Sequence, residues 1–98
     1  EWVKRDLPSV RLVIMEPFTL LPPDGGNNDA MAAEVVERGR MTKRLAGEFG
    51  ASFIPLQTLF DDACGRAPRE HWCADGFHPT IAGHQLIADA WLAAVEFR

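Results

Sequence analysis

Residues Val10 to Phe18 read VRLVIMEPF, a nearly unbroken apolar run closed by Glu16 and Pro17. A strand wet on one face alternates polar and apolar residues. An unbroken run fits a strand buried on both faces, as in a parallel sheet. TLLPPDGGNND, Thr19 to Asp29, follows as a loop dense in Pro, Gly and Asn. A helix is then expected from about Ala30 to Phe49, capped by Asn28 or Asp29 and stopped by Gly50. Met31, Val35, Leu45 and Phe49 stand near one face at helical spacing. Glu34 and Arg38 form an i,i+4 pair on the wet side, and Gly39 weakens the middle.

SFIPL, Ser52 to Leu56, reads as a second, shorter strand. Pro55 has no N–H for a ladder, so this strand lies at a sheet edge or ends there. TLFDDACG, Thr58 to Gly65, reads as a short helix with Thr58 and Asp61 spaced like a capping box. RAPREHWCADGFHP, Arg66 to Pro79, reads as an irregular loop. The last helix is expected from about Thr80 to Glu96, its apolar side including Ile81, Ile87, Ala88, Trp91, Leu92 and Val95. A strand, a long helical crossover and a second strand imply a right-handed parallel pair. Two strands do not make a stable sheet alone. The first is too apolar for an edge and wants a neighbour that these 98 residues do not supply.

Ninety-eight residues suffice for one small domain, and 47% hydrophobic residues mark it as globular. The net charge is -4 and the basic residues do not cluster, which argues against a nucleic-acid partner. No apolar run approaches the length of a membrane span, and no signal peptide is visible. Without a secretory mark a cytoplasmic location is favoured over secretion, but the compartment stays open. Cys64 and Cys73 read as two free thiols, with a loop-stapling disulfide left open. The chain opens on Glu1 rather than Met, as a piece of something longer or a processed product would.

Chemistry concentrates in CADGFHPTIAGHQLIADAWL, Cys73 to Leu92. An imidazole serves as a general base only when its tautomer and orientation are held. A carboxylate accepting from Nδ1–H does both, and it stabilises the imidazolium formed when Nε2 takes a proton. Asp75 and His78 can make that contact if Gly76 and Phe77 turn the chain, with Pro79 stiffening the exit into the helix. Asp-Gly and His-Pro are also ordinary turn and junction dipeptides, so plain structure competes with catalysis here. In open parallel sheets, sites form beyond the carboxyl ends of the strands. The loops Thr19–Asp29 and Arg66–His78 both lie on that edge, where Phe18, Leu20 and Leu21 could meet the pair.

ADGFHPTIAGHQLIADAW resembles the final block of the SGNH, or GDSL-type, serine hydrolases, which carry Asp-x-x-His-Pro before their last helix. LVIMEPF and ASFIPLQTLFDDA are similar to late strands and a connecting helix of that family's bacterial esterase branch. The resemblance covers nearly all of the chain but only the C-terminal half of the family's domain. It implies the C-terminal part of a flavodoxin-like three-layer αβα fold. It also implies hydrolysis of a small carboxylic ester, acyl or acetyl, through an acyl-serine intermediate, with His78 as base and Asp75 as orienting acid. No cofactor is expected.

The family's nucleophile lies in a Gly-Asp-Ser block, and none is present. Ser9 and Ser52 each precede a strand, at the wrong edge, and read as turn residues. The serine and the oxyanion hole are therefore expected from a missing N-terminal half or another chain, and the 98 residues alone are expected to be inactive. Trp72, Phe77, Phe18 and Leu20 are candidates to wall a substrate pocket; anchoring the loop to the core is the plain alternative for Trp72 and Phe77. Glu16 reads as a loop brace. His84 reads as packing on or beside the core, and Gly83 as permitting close helix approach. His71, His78, His84 and the two cysteines match no compact zinc pattern. A different class of reading is a non-catalytic α/β module working by association, with the exposed flank of the first strand pairing between chains.

Overall fold

The structure is a computed structural model; it describes residues 1–21 and 27–95, and of Asn27 and Asn28 only the backbone. Its elements are α1 (Trp2–Asp6), β1 (Val13–Met15), α2 (Asn27–Phe49), β2 (Ser52–Ile54), α3 (Leu56–Ala63), α4 (Arg69–Trp72) and α5 (Ile81–Ala94). β1 and β2 pair in parallel, with Val13 opposite Ser52 and Met15 opposite Ile54. A parallel pair needs a long crossover, which α2 supplies. α2 packs against both strands, and α5 packs against β2, α3 and α4. The core is Leu20, Ile54, Leu56, Phe60, Ala63, Trp72 and Cys73. Phe18 stacks on Phe60 at 4.0 Å between ring centroids.

Both strands are shorter than their apolar runs. β1 holds three residues rather than the whole of Val10–Phe18, and it is not buried on both faces. Val10 and Met15 are exposed, and among the described residues a second strand covers only one flank of β1. β2 stops before Pro55, where a ladder donor is lacking. Leu56 is then the first residue of α3 rather than the last of a strand. The proposed capping box does not form, since Thr58 falls inside α3. Its work is done from a distance: Glu16 Oε1 accepts from the N–H of Gln57 at 2.8 Å. A carboxylate at a helix start satisfies an orphan donor and faces the positive end of the dipole.

α2 ends as its sequence foretells. Gly50 sits at φ 64° and the Ala51 N–H donates to the Ala46 carbonyl at 2.9 Å, the left-handed close that glycine favours. Its start lies earlier than expected, at Asn27, so Asn28 and Asp29 are inside the helix rather than its cap. Residues 22–26 of the expected Thr19–Asp29 loop lie outside the described residues. Glu34 pairs with Arg38 at 2.9 Å. The inward stripe is Ala32, Val35, Gly39, Thr42, Ala46 and Phe49, so Met31 and Leu45 face outward. Gly39 is buried, and a Cβ there would press the Glu16 carboxylate at 3.1 Å.

α5 also turns a different face inward from the one expected. Ala82, Gly83, Leu86, Ile87, Ala90 and Ala94 face inward, while Ile81 (92% exposed), Ala88, Trp91 and Leu92 face outward. His84 is exposed rather than packed on the core. Gly83 explains the rotation: a Cβ there would overlap the backbone oxygen of Trp72, so the helix approaches α4 on its smallest residue. Thr80 caps α5, accepting from the Gly83 N–H at 3.1 Å and donating to the His71 carbonyl at 2.6 Å. Arg66–Pro79 is not wholly irregular, since α4 forms within it.

Candidate active site

Asp75 and His78 stand on a short loop pinned at its base. Cys73 and Pro79 form an antiparallel bridge, and the Thr80 N–H donates to the Trp72 carbonyl at 2.9 Å. Gly76 turns the chain at φ 91°. An added Cβ would strike Leu21 at 2.8 Å, so both conformation and space call for glycine. Asp75 Oδ1 accepts from the N–H groups of Phe77 at 2.8 Å and His78 at 2.7 Å, an Asx turn in which the side chain substitutes for a backbone acceptor. Its second oxygen, Oδ2, lies 2.6 Å from His78 Nδ1.

Electrostatics assign the tautomer. The backbone N–H of His78, its ring, and the Phe77 N–H together hold the Asp75 carboxyl well below the usual carboxylate range. An ionised carboxylate only accepts, so Nδ1 carries the proton and Nε2 of the neutral ring keeps its lone pair. The His78 side chain is 85% exposed, and among the described residues nothing bonds to Nε2. The arrangement can take a proton from a hydroxyl brought to that nitrogen.

The loop after β1 does reach this turn. The Gly76 carbonyl accepts from the Leu20 N–H at 3.0 Å and from Thr19 Oγ1 at 2.7 Å. Thr19 is clasped by Gln57: its N–H donates to Oε1, and its carbonyl accepts from Nε2, both at 3.0 Å. Neither Thr19 nor Gln57 carries a sequence signal. The loop dipeptide Thr19-Leu20 and the third helix are far apart in sequence, and only folding reveals their pairing.

The four pocket candidates part company. Leu20 and Trp72 are buried in the core, and Phe18 is occupied by Phe60. Trp72 Nε1 donates to the Ala63 carbonyl at 3.0 Å, Arg66 lies over its ring, and His71 meets its edge. Of the four, only Phe77 is exposed, beside His78. Ser52 opens β2 at the amino end of the sheet, away from the turn. Cys64 and Cys73 are free thiols, and burial pushes both upward in pKa. Among the described residues no three His, Cys, Asp or Glu side chains are grouped to hold a metal ion, and no helix is long and apolar enough to cross a membrane.

No protein-family model matches the chain. It is 34% identical to a protein assigned as a GDSL-like lipase from Parabacteroides merdae, with a TM-score of 0.85 over 95% of this chain and 43% of that one. It is 31% identical to an alpha/beta hydrolase enzyme from the metagenome of Lake Arreo, with a TM-score of 0.77 over 95% of this chain and 42% of that one. Among curated proteins it is 28% identical over 86 residues to an acetylxylan esterase from Geobacillus stearothermophilus, covering 88% of this chain and 38% of that enzyme. The crystal structure of that esterase has a TM-score of 0.77 over 99% of this chain. Catalytic mutants of the esterase replace a serine, a histidine and an aspartate with alanine, the aspartate standing three positions before the histidine. The chain spans less than half the length of each of these relatives. Over that span it has the α/β fold of those GDSL-type hydrolases, two parallel strands with flanking helices.

Proposed function

We propose that the chain supplies the base and the orienting acid of a serine ester hydrolase of the SGNH type. The observation that carries this is the 2.6 Å contact between Asp75 Oδ2 and His78 Nδ1 on an exposed turn. The spacing of aspartate and histidine among the catalytic mutants of the acetylxylan esterase supports the same roles. His78 Nε2 takes the proton of a serine hydroxyl as the oxygen attacks the ester carbonyl. It returns that proton to the departing alcohol, and the resulting acyl-serine is cleared by a water activated in the same way. Asp75 holds the ring and stabilises the transient imidazolium. The serine and the oxyanion donors come from residues beyond these 98 or from another chain.

Small acyl esters are the substrate class, and acetyl esters are the first to try, given the likeness to an acetylxylan esterase. Phe77 forms part of the wall on the acyl or alcohol side. The test uses the full-length protein, a fluorophosphonate probe and 4-nitrophenyl acetate. Labelling and turnover are expected in the parent and loss of turnover in His78→Ala. A His78→Ala protein as active as its parent overturns the proposal.

A second reading, association without catalysis, draws on a groove of about 390 Å³ lined by Met15, Pro17, Arg38, Met41, Thr42 and Leu45. A full-length protein that neither labels nor hydrolyses, yet pairs through this groove, would favour it.

A further inference from the structure

Thr19 is buried, its hydroxyl is spent on one acceptor, and that acceptor belongs to the turn between Asp75 and His78. The Gly76 carbonyl and the Phe77 N–H are the two ends of one planar peptide unit. At the carbonyl end, Thr19 Oγ1 donates at 2.7 Å and the Leu20 N–H at 3.0 Å. At the other end the Phe77 N–H grips Asp75 Oδ1 at 2.8 Å. Fixing the carbonyl therefore fixes the direction in which the N–H points, because a rigid plane cannot turn one end without the other.

We propose that Thr19 is a positioning residue for the Asp75–His78 pair, acting through the Gly76–Phe77 peptide plane; the catalytic part of this rests on the ester-hydrolase reading above. The plane needs such a hold. Gly76 at φ 91° carries no side chain to resist rotation; it is buried against Leu21, but the Asp75 and His78 side chains on either side of it are exposed. Thr19 is itself held from the opposite side. The reciprocal clasp with the Gln57 amide fixes its backbone, and Gln57 is anchored through its own N–H to Glu16 at the end of β1. Sheet end, α3 and turn are thereby joined in one chain of hydrogen bonds, running Glu16, Gln57, Thr19, Gly76–Phe77, Asp75, His78. Loss of the Thr19 hydroxyl leaves the Leu20 N–H on the Gly76 carbonyl, so the turn survives but can rock.

The test compares Thr19→Val, which keeps the shape and removes the donor, with Thr19→Ser, which restores it, in the full-length protein. Thr19→Val is expected to lower kcat about tenfold with KM within about twofold, and Thr19→Ser to recover most of the loss. Amide hydrogen exchange supplies a reading that does not depend on turnover. In Thr19→Val the Phe77 and His78 amides should exchange about tenfold faster, while those of β2 stay as in the parent. Unchanged exchange at Phe77 overturns the proposal, as does a Thr19→Ser protein as impaired as Thr19→Val. If His78→Ala leaves turnover intact, the hydrolase reading fails, and the exchange result still decides the role of Thr19 in holding the turn.

Discussion

At the scale of the residue, Asp75 does three things with two oxygens: it closes a turn, orients a ring and fixes that ring's tautomer. Replacing it with Asn keeps one acceptor but sets an N–H donor against His78 Nδ1, favouring the wrong tautomer. On the hydrolase proposal, Asp75→Asn is therefore expected to lower kcat by about 10⁴-fold in the full-length protein, as loss of the orienting acid does in serine-protease triads. Acid sensitivity follows from the same contacts. The folded state holds the carboxyl below its unfolded value, about 3.9, so the unfolded chain binds the proton more readily. This contribution is complete above the unfolded pKa and is lost as pH falls towards the folded one. Between about pH 5 and pH 2, the melting temperature of the parent should fall more than that of Asp75→Asn.

At the scale of the element, two close approaches govern the geometry. Gly83 lets α5 settle against the carbonyl of Trp72, which is backbone and cannot swing aside. Gly83→Ala is expected to cost about 1–3 kcal/mol, read by chemical denaturation of the full-length protein. Glu16 caps α3 across a gap in sequence, where a local Thr58–Asp61 box would have been the nearer device. Glu16→Ala is expected to cost about 1 kcal/mol. It should also speed exchange at the Gln57 amide, which loses its acceptor.

At the scale of the whole molecule, the outward faces matter most. Met15, Met41 and Leu45 share a groove beside β1, and Ile81 and Leu92 stand out from α5. One flank of β1 is covered by β2, and among the described residues no second strand lies on the other. Made by itself, the 98-residue chain should bind a hydrophobic dye, and Met41→Lys should reduce that binding. It should also give no serine-dependent ester turnover, because Ser52 opens β2 at the far end of the sheet from His78. Appreciable hydrolysis by the chain alone, abolished by a fluorophosphonate, would contradict this.

The sequence by itself determined the local features. Pro55 ends a strand because it lacks a donor, Gly50 closes a helix because it accepts a left-handed backbone, and Asp75 with His78 can meet because a glycine turn separates them. Each of these depends on residues a few positions apart. Tertiary structure decided which way α2 and α5 face, because a helix turns its smallest residues to the closest neighbour, and apolar spacing cannot say where that neighbour is. It also decided that Trp72 and Leu20 sink into the core, and that Glu16, Gln57 and Thr19 line up behind the turn. Those hydrogen bonds join residues about forty to sixty positions apart, a distance at which spacing carries no information and only the packed chain does.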